Sequence, residues 1–98
     1  MKSALLHFPY GEVFNAMEKI CSRNNFRIID FNEKKGEINA EKGSSLIGNK
    51  ISLHLKIQRT DKPVTKVIVE VEIKGRMKRF IEADKVEEKI VDSIYRHF

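Results

Sequence analysis

From residue 50 to 59, and again from 64 to 74, apolar and polar residues alternate almost without interruption. Ile51, Leu53, Leu55 and Ile57 share one face of the first stretch, and Val67, Val69, Val71 and Ile73 share one face of the second. A period of two is the signature of a strand with one buried face, and Thr60-Asp61-Lys62-Pro63 between the stretches supplies a turn. The outward positions are Lys50, Ser52, His54, Lys56 and Gln58, then Lys66, Ile68, Glu70, Glu72 and Lys74.

The rest of the chain divides by the same test. Ala4, Leu6 and Phe8 alternate with Leu5 and His7, which predicts a short first strand at a sheet edge, and Pro9 and Gly11 then mark a turn. From Glu12 the period lengthens. Val13, Phe14, Met17, Ile20 and Cys21 lie on one face of an amphipathic helix, which residues 22 to 25 end, because Asn tolerates a left-handed cap. Residues 26 to 31 read as a second strand, with Phe26 and Ile28 on one face and Ile29 and Phe31 on the other.

Asn32-Glu33-Lys34-Lys35 followed by Gly36 is a hairpin turn, and residues 37 to 41 form a third strand with Ile38 and Ala40 inward. Residues 42 to 49 predict a loop, and one of its Leu46 and Ile47 is expected to tuck onto the core or a partner. After residues 75 to 80, Ala83, Val86, Ile90, Ile94 and Phe98 recur at helical spacing. The expected fold is therefore α+β. It has two layers, an antiparallel five-stranded sheet packed on two helices, in the order β-α-β-β-β-β-α.

At 98 residues the chain is expected to be a single domain over 1–98, since a second core does not close at this size. Charged residues make up 34% and apolar residues 41%, a balance that folds rather than stays disordered. No apolar run is long enough to span a membrane and no leader pattern opens the chain, so the cytoplasm is the expected location. A lone cysteine, Cys21, lies on the apolar stripe of the first helix, where a small core residue is expected rather than a reactive thiol.

The net charge is +5, and it is unevenly spread. Residues 50 to 79 hold nine bases against three acids. The binding candidates are Lys56, Lys66, Lys74, Arg76, Lys78 and Arg79, positioned for nucleic-acid phosphates or an anionic lipid surface. Candidate protein contacts are Leu46, Ile47 and Ile68, apolar residues at loop or outward positions.

Catalytic and cofactor motifs are not evident in the sequence. Gly43-Ser44-Ser45-Leu46-Ile47-Gly48-Asn49-Lys50 has the two-glycine spacing of a phosphate loop, but Asn49 displaces the lysine, Ile51 replaces the hydroxyl residue and a strand follows instead of a helix. His7, His54 and His97 lie in three different elements, with no metal-ligand spacing among them. Neither a metal nor a cofactor is expected.

The order of elements resembles that of the TATA-box-binding protein repeat and of helix-grip domains. A nearer likeness is to small uncharacterised bacterial domains of this class. They are similar in an aromatic or apolar residue past the first helix (Phe26-Arg27-Ile28), a Gly-x-Ile-x-Ala strand (Gly36-Glu37-Ile38-Asn39-Ala40) and a Gly-Ser-Ser-Leu loop (Gly43 to Leu46) leading into Ile51-x-Leu53-x-Leu55. The resemblance implies a curved sheet gripped by helices. The minor-groove role does not carry over, because the outward positions of the two clearest strands hold no phenylalanine wedges and do hold Glu70 and Glu72.

Three function classes follow. The first is a small non-catalytic binding or interaction domain, with protein partners including a second copy of itself. The second is a binder of nucleic acid or anionic surfaces through the basic 50–79 region. The third is a carrier of a small apolar ligand.

Overall fold

A computed structural model describes residues 1–43, 50–61, 63–75 and 82–98. Among these the chain forms β1 (Lys2–Leu6), α1 (Tyr10–Arg23), β2 (Arg27–Asn32), β3 (Glu37–Lys42), β4 (Lys50–Arg59), β5 (Thr65–Lys74) and α2 (Ala83–His97). The predicted α+β class and element order are both present. All strand pairs are antiparallel and the sheet runs β1-β5-β4-β3-β2, so the first strand returns beside the last.

The two alternating stretches pair with each other along their whole length, from Lys50 opposite Lys74 to Arg59 opposite Thr65. A shift of one residue would turn every valine and leucine to water, so the pattern itself fixes the register. Leu55, Val67 and Val69 are fully buried on the inner face. Helix α1 lies against β4 and β2, α2 lies against β5 and β1, and the helices touch each other. Val13, Met17, Ile20, Cys21, Ile90 and Ile94 complete the interior layer.

Local chemistry sets the ends of the elements. Helix α1 begins at Tyr10 rather than after Gly11, because Pro9 takes an extended conformation and its carbonyl accepts the Val13 N–H at 3.0 Å. At the other end Asn25 has φ +64°. The Phe26 N–H then reaches Cys21 O at 2.9 Å and the Asn25 N–H reaches Ser22 O at 3.1 Å. This is a Schellman closure with an asparagine in the left-handed position and Phe26 and Cys21 as its apolar contact. Strand β1 lies two residues earlier than the alternation predicts. Phe8 falls outside it and stacks at 4.6 Å on Phe98 beyond α2.

Strand β2 departs from the sequence reading. The register slips between Ile28 and Asp30, leaving Ile29 as a bulge. The extra residue resets the alternation, so Ile28 (opposite Ala40) and Phe31 (opposite Ile38) both face the helices. Simple alternation had put them on opposite faces.

Glu87 of α2 is buried among apolar neighbours, 3% exposed. Its Oε2 accepts the Val71 N–H at 2.9 Å and its Oε1 meets the amino group of Met1 at 2.8 Å. β1 pairs with β5 only as far as Val69, so the carboxylate caps the part of β5 that lies beyond β1. Glu87→Ala is expected to cost about 2 kcal/mol by leaving the Val71 N–H without an acceptor. Glu87→Gln retains an acceptor and is expected to lose less, which paired urea titrations would read.

Candidate protein-interaction edge

An open sheet exposes two edge strands, each a template for pairing unless something blocks it. On the β1 side, α2 provides the block. The Tyr95 hydroxyl accepts the Leu5 N–H at 3.3 Å, Glu87 takes the Val71 N–H, and Lys2 pairs with Asp84 at 3.1 Å. On the far side, β2 pairs with β3 alone. No comparable side-chain cap sits on its outer edge among the described residues.

Beside that bare edge lies a groove of about 340 Å³ between α1 and β2. Its floor is Phe14, Ile28, Phe31 and Ile38, and its rim is Asn15, Glu18 and Glu33. Phe31 faces the helix layer and approaches Phe14 at 6.5 Å between ring centroids, yet it remains 65% exposed. Ile29, lifted by the bulge, is 56% exposed. Leu5 and Tyr95 on the β1 side are similarly exposed, but of these exposed side chains only Phe31 lines the α1–β2 groove.

The hairpin that ends β2 is held firmly. The Asn32 side chain accepts the Lys35 N–H at 3.1 Å, Tyr10 donates its hydroxyl proton to the Glu33 carbonyl, and the Arg59 guanidinium lies 4.2 Å over the Tyr10 ring. A pre-ordered edge loses less entropy when a partner binds.

The outer sheet face carries the described basic candidates. Lys56 stands between Ile68 and Glu37, Lys66 between Gln58 and Leu5, and Lys74 opposite Lys50 with Glu72 at 3.9 Å. By register Arg27, Lys50, Lys56, Lys66 and Lys74 share this face with Asp30, Glu37, Glu41, Glu70 and Glu72. Among the described residues five cations meet five carboxylates, so the described part of the face is charge-balanced. Ile68 is half-buried between Ser3 and Lys56. Arg76, Lys78 and Arg79, and with them Leu46 and Ile47, lie outside the described residues.

Glu41 bridges strands on this face, with Arg27 at 2.7 Å and Lys50 at 2.5 Å. Hydrogen bonds from Lys50 and then Arg27 hold its carboxyl below the usual carboxylate range. A depressed folded value stabilises above the unfolded pKa and is lost as pH falls through the folded one. The stability difference between the native chain and Glu41→Gln is therefore expected at about pH 6 and should vanish by about pH 2, as read from urea midpoints across that range.

His54, His97 and Cys21 are engaged or covered, whereas His7 is exposed just after β1. His54 Nδ1 donates to Asn39 Oδ1 at 2.5 Å, and Arg23 donates to His97 Nδ1 at 3.1 Å. Cys21 is fully buried, and burial pushes its thiol up to about 11. A disulfide-exchange reagent at pH 8 is expected to leave Cys21 untouched in the folded chain and to titrate one thiol in denaturant. Among the described residues no three His, Cys, Asp or Glu side chains come together as metal ligands, and no helix is long and apolar enough to cross a membrane.

Fold and site together define a two-layer α+β protein with one sheet edge capped by α2 and the other, among the described residues, uncapped. No protein-family model matches the chain, and no curated protein matches it.

Sequence reasoning placed protein contact at Leu46, Ile47 and Ile68 and missed Ile29 and Phe31. The available signal was β2 itself. Ile28, Ile29 and Phe31 make that strand apolar on both faces, one face more than a two-layer fold can cover.

Proposed function

We propose that this protein is a non-catalytic interaction module that receives a protein partner at the β2 edge and the adjoining α1 groove. The carrying observation is the asymmetry of the sheet, in which α2 caps the β1 side with Tyr95 and Glu87 while β2 stays open beside exposed Phe31. The non-catalytic reading is supported by the engaged His54 and His97 and by the raised thiol of Cys21. The return of β1 beside β5, with both helices on one face, supports the likeness to helix-grip and TATA-box-binding folds.

The balanced outer face gives less support to a nucleic-acid or anionic-surface role for Lys56, Lys66 and Lys74. A ligand-carrier role finds less support, because Met17, Ile20, Leu55, Val69 and Ile94 are buried in the core and the cavity of about 770 Å³ between the end of β5 and the start of α2 is lined by charged Glu72, Lys74, Glu82 and Asp84 beside Val71 and Ile73.

A photo-crosslinking amino acid at position 31, compared with one at exposed Glu88 on α2, tests the module in extracts of the source cell. Discrete adducts are expected from position 31 alone, competed by the unlabelled native chain but not by its Phe31→Ala variant. Equal labelling from both positions, or none from position 31, overturns the reading.

A further inference from the structure

Resting on that reading, we propose that the β2 groove binds one kind of partner segment. It is an extended stretch added as a sixth strand, with an apolar side chain on Phe31 and a neighbouring lysine or arginine against Glu18 and Glu33.

Three observations carry this. First, β2 offers a row of main-chain donors and acceptors with no strand on its outer side among the described residues, and strand addition is the recognition mode that satisfies them. Side chains at alternate positions of an added strand point to the helix side, where the floor residues wait. At about 340 Å³ the groove is at the lower end of the roughly 300–1,000 Å³ of small-molecule sites, a size suited to side chains from a strand.

Second, the charge of the groove has one sign. Glu18 on α1 and Glu33 just past β2 line it, and among the described residues no lysine or arginine does. A cation on the incoming segment is thus matched, whereas an acidic segment is repelled.

Third, the same features exclude a second copy as the natural occupant. A two-fold pairing of β2 with β2 brings two acidic grooves to one axis, where like charges oppose assembly. It also apposes two strands that are each kinked at Ile29, and bulges of this kind twist an edge away from flat pairing. A free segment can follow the bend; a rigid twin has to match it.

The test uses the full chain, immobilised and panned with a display library of random decapeptides. Enriched peptides are expected to carry apolar residues two apart with a lysine or arginine among them. In solution, by fluorescence anisotropy of the synthetic peptides, Phe31→Ala is expected to weaken binding about tenfold or more. The pair Glu18→Lys with Glu33→Lys should abolish binding of the basic peptides and select acidic ones on repanning. All three side chains are exposed, so circular-dichroism melts of the variants should match the native chain.

Absence of enrichment, or binders indifferent to these substitutions, overturns the proposal. If binders are lost on Lys66→Glu or Lys74→Glu instead, the groove assignment falls while the interaction module stands. A concentration-dependent dimer that Phe31→Ala dissolves would also overturn it, assigning the edge to a second copy.

Discussion

Replacing Gly36 by alanine is expected to destabilise the fold by about 3 kcal/mol, the sum of a left-handed backbone penalty of about 1–2 kcal/mol and a lost or strained hydrogen bond. Gly36 has φ +69°, and a Cβ there would stand 2.1 Å from the Ile57 carbonyl oxygen and 2.8 Å from the Tyr10 hydroxyl. Backbone cannot yield to that contact as a flexible side chain would. The β2–β3 hairpin would have to lift from β4, stretching the 2.6 Å bond from the Ile57 N–H to the Gly36 carbonyl. Against a typical stability of about 5–15 kcal/mol this is a large fraction, and the thermal midpoint should fall by roughly 12–24 °C. Gly11 is the control, because a Cβ there meets nothing within 4 Å. Gly11→Ala is expected to be neutral or to stabilise α1 by up to about 1 kcal/mol. Equal midpoints for the two variants would contradict the close approach at Gly36.

Leu55→Ala should remove about 3 kcal/mol, within the range of about 2–5 kcal/mol for emptying a buried leucine site. Leu55 is fully buried on the central strand, with Ile38 on one side and Val69 on the other. Little can collapse into the space left, since both neighbours are fixed by sheet pairing. Ile68→Ala is the matching test on the other face. There the side chain is only half-buried, and the expected cost is below about 1 kcal/mol. Urea denaturation with unchanged slope would report both as stability changes. A comparable loss at Ile68 would mean that the outer face is covered.

How much of this was legible in the sequence differs by element. The β4–β5 pair was legible almost to the residue, because ten alternating positions on each strand admit one register that buries every branched side chain. The end of α1 was legible because asparagine is one of the few residues that closes a helix with positive φ. The facing of Phe31 was not, since a bulge inserts one residue without altering composition, and every later position on the strand changes side.

By its charge Glu87 suits the positive end of the final helix and the neighbourhood of the basic segment. Its place three residues before Ile90 and seven before Ile94 sets it on the buried stripe, a signal that was present but overridden by its charge. The surroundings of Lys56, Lys66 and Lys74 were hidden for a different reason. A count along residues 50 to 79 cannot include Glu37 and Glu41, which a neighbouring strand brings to the same face. Pairing in space mixes charges that are far apart along the chain.

The capping of the β1 side by α2 carries a consequence for biosynthesis. Tyr95 and Glu87 follow β5 by more than ten residues in the sequence, so on the ribosome β5 emerges before its guards. During that interval the nascent sheet is open at both flanks, and the Val71 amide has no carboxylate to receive it. How soon α2 packs once it is clear of the ribosome should therefore govern how much of the newly made chain escapes misassociation.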